Sequence, residues 1–116
     1  MPTYVALTYT RDVDWSAPEQ AAEMAEYLEF GRNSAAVIRG GAALYPTQTA
    51  TTVRVTGGRG GDVVIGDGPY AETKEALTGF YLFECDSLDE ALRHAADLPA
   101  AWNGVAPVRP TIPSMM

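Results

Sequence analysis

The stretch DGPYAETKE, residues 67–75, joins two apolar segments and combines a turn sequence with a dense set of polar side chains. Asp67-Gly68 is typical of a turn, because the aspartate side chain can bond nearby backbone and glycine accepts a positive φ. The residues that follow supply a phenol, a hydroxyl, an ammonium and further carboxylates. Since loops held by a rigid scaffold often carry binding residues, this stretch is the first candidate for a functional site.

The segments on either side of this stretch have the pattern of β-strands. Residues 51–56 are rich in β-branched side chains that alternate along the chain, which predicts a strand. The glycine-rich residues 57–61 then predict a hairpin tip, and residues 63–65 the return strand. On the other side, residues 79–85 (GFYLFEC) form the strongest predicted strand of the chain. Thr73 is predicted to cap a short helix over residues 75–77.

The N-terminal third predicts a strand followed by a long helix. Residues 4–10 are an apolar strand. Ser16 and Glu19 form a capping-box pattern that favours a helix start. Gly40-Gly41 favours its end, because glycine accepts the left-handed conformation of a helix C-cap. The predicted buried stripe of this helix comprises Ala21, Met24, Leu28, Ala35 and Ile38. A short strand is predicted at residues 44–45.

The C-terminal third predicts a second helix and an edge strand. Ser87 and Glu90 form another capping box, and Pro99 is predicted to stop the helix. Residues 105–110 lie near two prolines, which places a last strand at the edge of a sheet. The predicted buried stripe of this helix comprises Leu88, Ala91, Leu92, Ala95 and Leu98.

The order of these elements predicts an α+β fold. Strand, helix, strands, helix and strand match a ferredoxin-like antiparallel sheet with both helices on one face, built as a single domain over residues 1–116. The strand over residues 80–85 is apolar on both sides, whereas a half-exposed sheet should alternate. Because two helices cover one face only, we expect a homodimer in which two sheets pack face to face.

Charge and composition limit the classes of partner. The 116 residues carry a formal net charge of −7, which disfavours binding to nucleic acid and to anionic membranes. The single cysteine, Cys85, excludes an intramolecular disulfide, and the single histidine, His94, has no ligand-spaced companion for a metal site. We expect no cofactor. Residues 1–7 lack the basic and long apolar regions of a secretory signal, so we expect a cytoplasmic protein.

Five segments spread over the chain carry a resemblance to a known family. They are ATTVRV (50–55), DGPYAETKE (67–75), TGFY (78–81), SLDEAL (87–92) and VRP (108–110). In these segments the chain resembles the DGPF group of the YCII-related family of small bacterial proteins, with Tyr70 where phenylalanine is more usual. The resemblance implies a dimeric α/β-barrel assembly.

The resemblance also implies possible roles. In the wider family, a histidine on the first helix and an aspartate have been proposed as a catalytic pair, and at least one relative is a dehydrochlorinase of aromatic compounds. This chain has no histidine there, and Tyr27 stands near that position. A phenol, with a pKa of about 10, is a poor general base at neutral pH. Genes of the DGPF group often neighbour alternative sigma factors, which suggests a regulatory or detoxifying setting.

Two functions follow as alternatives. The first is a small-molecule protein, either a cofactor-free lyase or isomerase or a binding protein for a small organic anion or aromatic compound. The second is a non-catalytic regulatory or interaction protein. The catalytic candidates are Asp67, Glu72 and Tyr27, and the ligand-binding candidates are Arg54, Asp67, Tyr70, Glu72, Lys74 and Tyr81. Each has a structural alternative: a turn for Asp67, a solvated pair for Glu72 and Lys74, and packing for the tyrosines.

Overall fold

The computed structural model describes residues 1–69, 71 and 73–113, which form six strands and three α-helices. Two single turns of 3-10 helix, Pro18–Gln20 and Thr47–Thr49, lie in the connections. The elements in chain order are β1 (Thr3–Thr10), α1 (Ala21–Asn33), β2 (Ile38–Ala43), β3 (Thr51–Thr56), β4 (Asp62–Asp67), β5 (Ala76–Glu84), α2 (Leu88–Ala95), α3 (Pro99–Asn103) and β6 (Val108–Pro110).

Four of the strands form one antiparallel sheet in the order β2-β5-β1-β6. This is the strand order of a ferredoxin-like fold, and the predicted α+β class is confirmed. The strands β3 and β4 form a separate hairpin inserted between β2 and β5, with Thr51 opposite Asp67 and Thr56 opposite Asp62. The predicted hairpin over these residues is therefore also confirmed.

The hydrophobic core lies between the helices and one face of the sheet. Tyr4 and Ala6 of β1 and Phe83 of β5 are buried on this face, and they are 8%, 0% and 0% exposed. The helices cover them with Phe30 of α1 and Ala95 of α2, together with Leu98 just beyond α2. The alternation along β1, in which every second residue is buried, follows from this one-sided cover.

The opposite face of the sheet carries apolar side chains as well. Val5 pairs with Leu82, and Leu7 pairs with Phe80, on the side away from the helices. All four are only partly buried, because the helices pack on the other face. We call these four residues the open face. The prediction that the central strands are apolar on both sides is thus confirmed, and the dimer that it implies stays a prediction.

The predicted end of the first helix is wrong. Helix α1 ends at Asn33, and Ile38–Ala43 forms β2. Gly41 lies opposite Tyr81 of β5, and a Cβ there would come within 2.5 Å of the carbonyl oxygen of Phe80. Gly41 therefore marks a close approach of two strands and not a helix C-cap.

The predicted start of this helix is also wrong. The backbone amide and the hydroxyl of Ser16 donate to the carboxylate of Asp14, at 2.9 and 2.6 Å, so this serine closes a turn and caps no helix. The stripe is rotated as well. Leu28 is 64% exposed, and the inner side of α1 presents Tyr27, Phe30 and, at the C-cap, Ser34. The aromatic side chains of Tyr27 and Phe30 face the sheet, on the side of α1 where the aliphatic pattern had placed Leu28.

Five smaller predictions need correction. Residues 44–45 lie beyond the end of β2. Thr73 caps no helix, because its hydroxyl donates to the carbonyl of Glu75 at 2.6 Å just before β5 begins. Pro99 lies in the first turn of α3, where a missing amide costs nothing. The last strand, predicted at residues 105–110, is interrupted: it consists of β6 and a separate bridge between Val105 and Tyr9. In α2, the leucines Leu88 and Leu92 are 45% and 46% exposed, so its buried stripe is narrower than predicted.

The predicted serine cap at the start of α2 is confirmed, and the return bond of Glu90 goes to the amide of Asp86 in place of that of Ser87. The amide of Glu90 donates to the hydroxyl of Ser87 at 3.2 Å, and the Glu90 carboxylate accepts from the amide of Asp86 at 3.0 Å. Two amides that lack intrahelical partners are satisfied in this way. Among the described residues, no helix is long and apolar enough to cross a bilayer.

Replacement of Ser87 by alanine should lower the free energy of unfolding by about 1 kcal/mol, because the first turn of α2 loses its capping acceptor. Urea unfolding followed by circular dichroism measures this loss. Ser87→Asp restores an acceptor and should keep most of the stability. Equal stability of the alanine variant and the wild type would contradict the role of the cap.

Candidate functional site

A cleft opens between α1 and the core-facing side of the sheet. Its inner part, which we call the inner cavity, has a volume of about 50 Å³ and is open to solvent on one side. Its apolar wall includes Met24 of α1 and the alanines Ala42 and Ala43 at the end of β2. Its polar groups come from Thr8, Trp15, Tyr27, Thr78 and Tyr81.

An irregularity in the central strand pair shapes the floor of the inner cavity. Thr8 pairs with Gly79, whereas Tyr9 pairs with Leu77, so Thr78 is an extra residue in β5. Such a bulge re-aims side chains. The hydroxyl of Thr78 lies 3.1 Å from that of Thr8 and 3.0 Å from that of Thr10. The bulge thus places a hydrogen-bonded cluster of hydroxyls, shielded from water, beneath the cavity.

Trp15 forms the wall of the inner cavity opposite this floor. Its side chain is 6% exposed and packs edge-on against the ring of Tyr27, with 6.3 Å between the ring centroids. The guanidinium of Arg11 lies 5.5 Å from the centroid of the indole ring, a cation–π distance. The indole Nε1 is buried and has no acceptor among the described residues. A buried donor without a partner costs about 1–3 kcal/mol, which makes Trp15 the least satisfied polar group of the site.

Two phenols complete the wall. Burial, and to a smaller extent the carboxylate of Glu23, raises the pKa of Tyr27 to about 12. Burial also raises the pKa of Tyr81, whose ring packs edge-on against Phe30 with 5.1 Å between centroids. Both phenols are therefore protonated at neutral pH. In that state each can donate a hydrogen bond to a ligand, and neither can accept a proton as a base.

The cleft continues outward past Trp15 and Met24. These two residues and Ala43 also line a shallower depression of about 240 Å³, which we call the outer depression. Its far side is formed by Leu44 and Tyr45. Asp14 and Ser16 also line it, and the Asp14 carboxylate is the one already bonded by Ser16. The two parts share Trp15, Met24 and Ala43 and form one cleft.

The predicted site residues fall into separate places. Tyr27 and Tyr81 meet at the inner cavity. Arg54 is exposed on β3 and pairs with Val64, on the side of the hairpin that it shares with Thr52 and Thr56, as predicted. Asp67 ends β4 and Lys74 is exposed, and neither lines the inner cavity. Tyr70 and Glu72 lie outside the described residues.

Residues 67–75, which we call the signature stretch, border two depressions that are separate from the inner cavity. Pro69, Ala71 and Thr73 line a depression of about 290 Å³ with Asp12 and Thr47. The same three residues line a wider one of about 490 Å³ that reaches Tyr9 and Leu77 of the central strands. The Asp12 carboxylate accepts from the amide of Thr47 at 2.8 Å and from its hydroxyl. Where a turn was predicted at Asp67-Gly68, the chain bends at Gly68, which has a φ of 87° and whose amide donates to the carbonyl of Ala50 at 2.7 Å.

Comparison with known proteins agrees with this fold. The sequence pattern of the YCII-related domain matches residues 3–114. The chain belongs to the YCII-related domain family. It is also similar to an uncharacterized protein of Rhizobium meliloti (strain 1021), with 44% identity over 81 residues. That alignment spans 70% of this chain and 59% of the relative's own length.

The structure shows where Tyr27 lies relative to the cleft. The resemblance placed Tyr27 near the helix histidine of other members, and the structure places it in the wall of the inner cavity. The described residues contain no group of three or more metal-ligating side chains.

Sequence reasoning missed Trp15, Met24 and the threonine hydroxyls. Trp15 stands in a polar loop, residues 11–16, where a large aromatic side chain is unusual, and this was the available signal. A second missed contact lies elsewhere, where the hydroxyl of the buried Ser34 is 2.8 Å from Nδ1 of His94. This pair joins α1 to α2 and borders none of the four cavities described above.

Tyr27 should make the protein less stable in strong alkali. The pKa of Tyr27 rises from 10.0 to about 12 on folding. Its contribution to the free energy of unfolding is therefore complete below pH 10 and is lost as the pH rises toward 12. Tyr27→Phe should therefore show a shallower loss of unfolding free energy between pH 10 and 12, measured by urea unfolding. Between pH 7 and 9 the two curves should run parallel. An identical alkaline slope in the two proteins would contradict the burial of this phenol.

Proposed function

We propose that this protein is a homodimer that binds a small organic molecule in the cleft between α1 and the sheet. The observation that carries the proposal is the composition of the inner cavity. Apolar walls from Met24, Ala42 and Ala43 enclose it, and residues with polar side chains from different elements also line it. Largely apolar clefts with a few convergent polar groups are the usual form of a small-molecule site.

The groups around the inner cavity favour binding over acid–base chemistry. A cofactor-free lyase or isomerase needs a base that is unprotonated near neutral pH. The ionisable side chains of the cavity wall are Tyr27 and Tyr81, and burial raises the pKa of both. The carboxylate that lines the outer depression, Asp14, accepts two hydrogen bonds from Ser16. A binding role therefore needs fewer assumptions than a catalytic one.

The open face supports the dimer. Val5, Leu7, Phe80 and Leu82 form an apolar surface at the centre of the sheet, and the helices occupy the other side. Two such sheets stack about 10 Å apart when they pack face to face. Stable interfaces bury roughly 800 Å² on each partner, an area that a four-stranded sheet face can provide. The product is the dimeric α/β-barrel that the family resemblance implies.

Met24→Trp should abolish ligand binding, because an indole at the mouth would fill the cleft that Met24 now borders. A thermal-shift screen of phenols, lactones, ketones and small carboxylates provides the ligand, and the variant tests its site. Lys74→Ala is the matched control, since Lys74 is exposed and does not line the inner cavity. If Lys74→Ala lost the shift and Met24→Trp kept it, the ligand would bind at the signature stretch.

Leu82→Arg should convert the dimer into a monomer, because a charge at the centre of the open face would be buried without a partner. Size-exclusion chromatography with light scattering at micromolar concentration measures the mass. Leu28→Arg is the control, since Leu28 is 64% exposed on α1. A wild-type protein that is monomeric under these conditions would contradict the dimer itself.

A second candidate function is that of a non-catalytic interaction protein. The β3–β4 hairpin favours it, because Val53 and Val55 pair with Ile65 and Val63 on one side, and these side chains are 42% to 68% exposed. A two-stranded hairpin is marginally stable alone, and an exposed apolar side favours a protein partner. The suggested link to alternative sigma factors belongs to this candidate. In this candidate residues 67–75 stabilise the dimer and bind no ligand. Lys74→Ala would then weaken the dimer and leave ligand affinity unchanged.

A further inference from the structure

We infer that the ligand of the inner cavity is an uncharged, largely apolar molecule whose hydrogen-bond acceptor, such as a carbonyl oxygen, binds the indole N–H of Trp15. This inference rests on the proposed small-molecule function and narrows it. The sequence left an organic anion and an aromatic compound as equal alternatives, and the described cleft distinguishes between them.

The unpartnered indole N–H defines the acceptor. Trp15 lines both the inner cavity and the outer depression, so it stands where any ligand of the cleft must pass. Its Nε1 can only donate, and it has no acceptor among the described residues. Met24, which lies beside it in both parts of the cleft, is the flexible part of the wall. Because Nε1 is buried in the cleft, a ligand oxygen reaches it only when the cavity wall yields, and the flexible thioether of Met24 is the side chain that we expect to move.

The other polar groups of the inner cavity fit the same ligand. The phenols of Tyr27 and Tyr81 remain protonated, because burial raises the pKa of each, so neither is a base. The Tyr27 oxygen also contacts the backbone of Ala100, which leaves Tyr81 as the phenol we expect to donate to a second oxygen of the ligand. The hydroxyl of Thr78 is already engaged with Thr8, Thr10 and the carbonyl of Thr8. The cavity therefore offers mainly donors, which select a molecule that accepts hydrogen bonds.

Charge excludes an anion from this position. The inner cavity is lined by uncharged side chains, and an anion buried without a cation costs far more than one hydrogen bond returns. The nearest cation, Arg11, lies over the outer face of the indole and is paired with Glu23 at 3.4 Å. Asp14 at the outer depression and the formal net charge of −7 add repulsion.

The volumes set the size of the ligand. The inner cavity of about 50 Å³ is too small for an aromatic ring and receives the acceptor group, whereas the outer depression of about 240 Å³ receives the ring. A molecule of this kind places its acceptor beside Trp15, its apolar part against Met24, and any larger substituent toward Tyr45. A single-ring ketone is the simplest compound with these properties.

Three matched probes test this inference: acetophenone, its acceptor-free counterpart ethylbenzene, and the anion benzoate. Each is titrated at pH 7 into ¹⁵N-labelled protein, and the indole N–H signals are followed by NMR. The chain has two tryptophans, and Trp102→Phe assigns the signal of Trp15. Acetophenone should move the Trp15 N–H signal downfield and bind about 2- to 10-fold more tightly than ethylbenzene, as expected for one net hydrogen bond. Benzoate should bind more weakly than either.

Trp15→Phe is the decisive variant, because it keeps an aromatic wall and removes the donor. It should bind acetophenone and ethylbenzene equally. Preserved dispersion of its amide spectrum shows that it is folded, and if it is not, the three probes on the wild type still decide. Equal binding of acetophenone and ethylbenzene by the wild type, or tighter binding of benzoate, would overturn the ligand class and leave the site intact. If no probe at millimolar concentration shifted the backbone amide signals of Thr8, Tyr27 or Tyr81, both the ligand class and the proposed site would be wrong.

Discussion

The pairing of β1 with β5 decides which side chains face the helices and which face outward. These strands are the two central members of the sheet, and their register places Ala6 beside Tyr81 under the helices and Leu7 beside Phe80 on the open face. A shift of one residue would exchange the two sets, since side chains alternate along a strand. The extra residue Thr78 bends this register at one point, and the floor of the inner cavity lies at that point.

The inner cavity and the core share the same helix. Helix α1 presents Phe30 to the core, where it packs on Phe83 and Tyr81, and presents Met24 and Tyr27 to the cavity. Near its N-terminal end the helix no longer fills the space above the sheet, and Trp15 from the preceding loop closes one side. The site is therefore a place where helix–sheet packing is incomplete, and its hydrogen-bond donors come from side chains that elsewhere would be core.

The acidic surface of the chain and the uncharged wall of the cleft both favour an uncharged ligand over an anion. Charged side chains lie on the surface, where Arg11 and Glu23 form a pair that is 60% and 20% exposed, while the cavity wall is uncharged. An uncharged ligand enters such a cleft without losing strong hydration, whereas an ion would leave water for a site with no countercharge. The apolar open face and the apolar side of the hairpin are further surfaces that favour contact over solvation.

The sequence alone determined the α+β class, the hairpin at residues 51–67, the helix cap at Ser87 and the family, because these depend on local alternation, turn residues and motifs. It did not determine where α1 ends, because Gly40-Gly41 serves equally well as a helix cap or as a close strand contact, and only the position of β5 distinguishes them. It placed Tyr27 and Tyr81 among the site residues but could not reveal that they meet, since they lie 54 positions apart in the chain. The unpartnered N–H of Trp15 was decided by the tertiary structure alone, because a missing hydrogen bond is a property of what surrounds a group and is written in no single residue.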